Sequence, residues 1–103
     1  MLQNINQKAP QECNNIAEVR NEIDNIDKVI ISLLSKRFEY VKEVVKYKSK
    51  DSASIEASER RQQMLAHRRE WAEQNGLSAD VIEKIYGTLV AYFIEEEKKI
   101  ANL

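Results

Sequence analysis

Arg20, Arg37 and Lys48 stand where an ordinary amphipathic helix keeps hydrocarbon. Apolar residues recur at helical spacing at Ile16, Val19, Ile23, Ile26, Ile30, Leu33, Leu34, Val41, Val44 and Val45. Arg37 lies three residues after Leu34 and four before Val41; Lys48 lies three and four after Val45 and Val44; Arg20 lies four after Ile16. All three therefore fall on or beside the apolar stripe. A cation there is costly unless an anion meets it. The chemistry that fits is capture of a small polyanion in a dry site. The plainer alternative is a set of cations that snorkel along the helix to reach water.

Arg37 and Lys48 are 11 residues apart, which places them within roughly 20° of each other and about 16 Å apart along a helix axis. Their side chains could converge on one ligand of moderate size. Arg20 precedes Arg37 by 17 residues, which puts it about 25 Å away and roughly 100° off. It cannot easily serve the same pocket within one chain, but in an antiparallel dimer it could serve the partner's.

A carboxylate repeats the anomaly near the C-terminus. Glu97 follows Phe93 by four and Ile94 by three, and precedes Ile100 by three. Of the run Glu95–Glu97, Glu95 best fits a solvated face and Glu97 fits it worst. A carboxyl group on an apolar face favours its neutral form, which could donate a hydrogen bond. Arg60, four before Met64, leans inward by phase and could close over a ligand; otherwise it is an ordinary surface arginine. Asp24 and Asp27 read as surface pairing groups. His67 has no partner at metal-ligand spacing, Cys13 has no activating context, and Trp71 and Tyr86 are most simply core. There is no Gly-rich phosphate loop and no Ser/His/Asp set, so nucleophilic catalysis has no candidate.

The elements that must position these residues are helical. With 103 residues, two glycines and one proline, the chain suits one all-α domain and not a turn-rich sheet. Residues 1–15 form a polar arm, and 16–103 a single helical domain. Asn14 or Asn15 is placed to cap a first helix that runs to about Lys48 with no Gly or Pro inside. Such a helix is about 50 Å long, whereas a compact chain of this size has a radius of gyration of about 13 Å. It must overhang its own subunit, and a second copy must cover its stripe, so an intertwined homodimer is expected. Ser49 to about Ser58 reads as a mobile loop. A second helix spans about Glu59 to Gln74, stopped by Asn75-Gly76. A third, capped by Ser78, carries Val81, Ile82, Ile85, Tyr86, Leu89, Val90, Phe93, Ile94 and Ile100 on one face.

Charge sets further bounds. Sixteen Lys and Arg nearly balance 17 Asp and Glu, for a net charge of -1, so no basic face points to nucleic acid or to a membrane surface. One cysteine excludes a disulfide framework and a cysteine metal cluster. No apolar signal core or long apolar run is present, and the expected compartment is the cytoplasm.

Several stretches resemble the all-helical chorismate mutase family, and most closely its isochorismate pyruvate-lyase branch. They are P-Q-E-C at 10–13, V-R-N-E-I-D-N-I-D at 19–27, R-F-E-Y-V-K at 37–42 leading to Lys48, and E-R at 59–60. M-L at 64–65, W-A-E-Q-N-G-L at 71–77 and F-I-E-E-E at 93–97 complete the set. The resemblance implies a dimer of three-helix subunits, each with a long first helix, and two equivalent sites that need no cofactor. By position, Arg20 of the partner subunit and Arg37 would bind the substrate carboxylates. Lys48 would reach the ether oxygen, and Arg60 would help close the loop side. Many family members carry glutamine where this chain has Glu97; a protonated glutamate could imitate it. The expected activity is conversion of isochorismate to salicylate and pyruvate, with secondary conversion of chorismate to prephenate. The alternatives are a chorismate mutase with little lyase activity, and a helical dimerisation module that has lost its chemistry.

Overall fold

The computed structural model describes residues 7–103; the first six residues of the expected arm lie outside them. Every regular element among the described residues is helical. A 3-10 turn, Pro10–Glu12, precedes helix α1, Ile16–Val44; a second 3-10 turn, Val45–Tyr47, follows it. Then come α2, Ser52–Glu56, α3, Ser58–Gln74, and α4, Ala79–Ile100. Two compact units divide the chain, the first ending at Glu39 and the second comprising Tyr40–Leu103.

In the first unit the chain entering α1 is tied down by polar contacts. The Glu18 N–H donates to Asn15 Oδ1 at 2.9 Å, so Asn15 is the cap. The Glu18 carboxylate accepts from the Asn14 N–H at 3.1 Å and from Lys8 Nζ at 3.0 Å. The Lys8 N–H donates to Glu22 Oε2 at 2.6 Å. The arm is therefore strapped along the first two turns of α1. None of the residues of this helix is buried, and Ile16, Ile23 and Ile31 are each more than half exposed. Such a stripe is the surface that an amphipathic helix normally buries.

The second unit holds the core, built from Val45, Ile55, Met64, Val90, Ile94 and Ala101 with Leu65 packed against them. Burial of Val45 explains why α1 ends before the expected Lys48. The chain tightens into a 3-10 turn that turns Val45 inward, the Lys48 N–H closes on the Val45 carbonyl at 3.3 Å, and Lys48 itself is extended. The segment expected as a loop holds α2. Asp51 caps it by accepting from the Ser54 N–H at 2.7 Å, and Ile55 anchors it at 1% exposure. Ala57 ends α2 in the left-handed region, φ 43°, where a Cβ costs on the order of 1 kcal/mol.

Helix α3 stops at Gly76, φ 72°, as its position suggested. The Leu77 N–H reaches the Ala72 carbonyl at 2.8 Å and the Gly76 N–H reaches that of Glu73 at 3.1 Å, a Schellman closure. Ser78 caps α4 through the Val81 N–H. Arg69 Nη1 joins the helices, donating to Asp80 and Glu83 at 2.8 Å each. Trp71 departs from the core placement expected for it: about half of it is exposed. The Arg68 guanidinium lies over its ring at 4.7 Å and 5.5 Å from the Tyr86 ring, a cation–π arrangement that favours partial exposure.

The strap is pH-sensitive in a definite direction. The Asn14 N–H first, and Lys8 second, hold the Glu18 carboxyl below the ordinary glutamate range. A lowered folded-state value means that the contact contributes above that range and is lost as pH falls through it. The Asn14 amide resonance should stay constant from neutral pH down through the ordinary glutamate range and move only below it. In Glu18→Gln this step should vanish. A midpoint at the ordinary value would show that the contact is not made.

Candidate active site

Of the five residues singled out by charge and phase, the second unit brings two into direct contact. Lys48, at the end of the 3-10 turn that closes α1, extends its side chain to α4. Its Nζ donates to Glu97 Oε1 at 2.8 Å and to the Ile55 carbonyl of α2 at 3.1 Å. Glu97 is buried, with 7% of its side chain exposed, and Lys48 is half-buried, at 22%. The buried side chains of Val90, Phe93 and Ile94 share the inner face of α4 with Glu97, while Glu95 faces solvent. The anion that meets Lys48 is thus another residue of the same chain.

This geometry gives Glu97 a partner within the chain. Its Oε1 accepts from the Lys48 ammonium group. In a low-dielectric setting such a charge-assisted bond is strong, and each partner removes much of the desolvation cost of the other. Lys48 has three N–H donors, and two of them are engaged by Glu97 and Ile55. What the pair offers a ligand is one oriented N–H bond on a cation whose charge is already balanced. That suits an oxygen that acquires negative charge during a reaction better than it suits a permanent carboxylate.

Arg60 is exposed near the start of α3, and its neighbour Arg61 is the half-buried one, so the inward lean inferred from Met64 is not adopted. Arg20 and Arg37 belong to the first unit. Arg20 is exposed on α1 beside Ile16 and Ile23; Arg37 is half-buried. Ile55 went unrecognised in the sequence because it takes part through its backbone carbonyl. The available signal was small: one large apolar residue in a polar stretch, four residues after an aspartate suited to capping.

The family model for chorismate mutase type II matches residues 19–98. Isochorismate pyruvate lyase from Pseudomonas aeruginosa is 38% identical over 92 residues, covering 89% of this chain and 90% of that protein. The T-protein of Haemophilus influenzae is 43% identical over 70 residues, which are 68% of this chain and 19% of that protein. A bifunctional chorismate mutase/prephenate dehydratase from Buchnera aphidicola is 29% identical over 89 residues, 23% of its length.

Removing one member of the buried pair strands the other. Lys48→Met should destabilise the chain by roughly 3 kcal/mol, near the low end for a broken buried pair because Lys48 keeps some solvent contact. Lys48→Met combined with Glu97→Leu should recover much of that loss, since no buried charge remains. Urea unfolding at neutral pH measures both. A double variant no more stable than the single one would mean that Glu97 does not depend on Lys48.

Proposed function

The chain belongs to the chorismate mutase type II family, and on that premise we propose that it is an isochorismate pyruvate lyase with secondary chorismate mutase activity. The observation that carries the reading is the buried Lys48–Glu97 pair with one N–H bond left to offer. Support for the lyase reaction comes from the P. aeruginosa relative, with which the chain aligns over nearly its full length. The family model and the bifunctional B. aphidicola relative favour the second reading, a chorismate mutase with little lyase activity.

Both reactions are pericyclic. In isochorismate the ether C–O bond breaks as a ring hydrogen moves to the enolpyruvyl methylene carbon, leaving salicylate and pyruvate. In chorismate the same kind of bond breaks while a C–C bond forms, giving prephenate. Neither needs a nucleophile, a cofactor or a metal. The protein has to hold the enolpyruvyl arm over the ring and stabilise negative charge on the departing ether oxygen. In this reading Lys48 donates to that oxygen, and Glu97 keeps the ammonium group in place. Arg37 binds the pyruvyl carboxylate, Arg20 of a second copy binds the ring carboxylate, and Arg60 helps to close the loop side.

The second copy follows from the same reading. The exposed stripe of α1 is the surface to be covered, and a homodimer covers it with an identical stripe while delivering Arg20 to the neighbouring site.

Two measurements test these assignments. Incubated separately with isochorismate and chorismate, the pure protein should give salicylate fluorescence with the first and slower prephenate formation with the second. Arg37→Ala should lower kcat/KM for both by about 10²–10³, the usual effect of losing one electrostatic contact. Prephenate without salicylate would establish the mutase instead; turnover of neither would leave a dimerisation module. In solution, light scattering should give twice the 12.0 kDa chain mass. Ile23→Asp should halve that mass and abolish turnover. A fully active monomer would overturn the shared site.

A further inference from the structure

The carbonyl group that holds Lys48 comes from a residue whose side chain has no chemistry of its own. Ile55 is the most deeply buried large side chain among the described residues, at 1% exposure. It is the one buried residue of the five in α2. Its carbonyl is among the last in that helix, beyond the reach of intrahelical N–H donors, and Lys48 Nζ approaches it to 3.1 Å. The core therefore grips α2 through the same residue whose backbone oxygen directs the ammonium group. Supporting contacts fix the rest of the short helix. Asp51 caps its start, and Glu56 lies 3.8 Å from Lys98 on α4.

We propose that Ile55 is a positioning residue: by seating α2 in the core it aims the Lys48 ammonium, so that its third N–H bond points at the ligand. The proposal rests on the reading that Lys48 serves the reacting oxygen. An ammonium group is a rotor with three equivalent donors. Glu97 alone would leave the other two N–H bonds free to turn about the Nζ–Oε1 direction. A second, fixed acceptor removes that freedom. Misplacement of a reacting group by about 1 Å can cost on the order of 10² in rate, so a weakened second acceptor should be visible in kcat.

Because the acceptor is a backbone atom, a backbone substitution tests it. Replacing Glu56 by its α-hydroxy acid turns the Ile55 carbonyl into an ester, a weaker acceptor, while every side chain is kept. The matched control places the hydroxy acid at Ala57, which weakens the Glu56 carbonyl instead. Each chain loses one helical N–H, so a merely structural effect would appear equally in both. We expect kcat for isochorismate to fall about 10-fold in the first chain with KM within twofold, and to stay within twofold in the control. In nitrogen-edited NMR spectra of the free protein, the Lys48 ammonium signal should broaden in the first chain only. Ile55→Ala, assayed well below its melting temperature, should lower kcat as the first ester chain does, with KM within twofold. Equal kcat in the two ester chains, or an unaltered ammonium signal, overturns the proposal. A wild-type chain inert toward both acids defeats the assigned reaction, and the ammonium spectrum then still decides whether Ile55 grips Lys48.

Discussion

A carboxylate placed among hydrocarbon obliges the chain to bring a cation to it, and much of the second unit answers that demand. Glu97 sits on the inner face of α4 with Val90, Phe93 and Ile94. The nearest cations in sequence, Lys98 and Lys99, pair elsewhere, with Glu56, Glu95 and Glu96. Lys48 comes instead from the end of α1, 49 residues away. To deliver it, the chain leaves the α-helix at Val44, tightens through Val45–Tyr47 and extends at Lys48. The Ile55 carbonyl then completes the coordination of the ammonium group. Three elements thus meet at one nitrogen atom, and a pair that would cost stability if either member were alone becomes a rigid polar point in an apolar core.

Local rules were legible in the sequence wherever a local interaction decides the outcome. Asn15, Gly76 and Ser78 act where their side chains or backbone freedom suggested, because a cap or a left-handed closure is completed within a few residues. Tertiary decisions were not legible. Helix α1 stops short of Lys48 because Val45 has a core to enter, and a periodicity count does not contain that core. Helix α2 is too short for any apolar period to register. Arg60 and Arg61 differ by one residue, about 100° of helix phase, and a small rotation of α3 exchanges their exposure.

The candidate site shows the same division. Lys48 and Glu97 each stood out as a charge in the wrong phase, and the structure brings the two together. That they answer one another was invisible, since they lie 49 residues apart in different elements. The stripe of α1 is the complementary case: its apolar period was plain in the sequence, yet none of its residues is buried.

The indole of Trp71 is the only one in the chain, and it lies half in solvent with a guanidinium group across its face. That placement gives the molecule a built-in optical gauge. Quenching by the stacked cation and by water makes its emission sensitive to whatever shields this corner of α3 and α4. Changes confined to the Lys48 ammonium, which is held by other elements, need leave no trace in that colour.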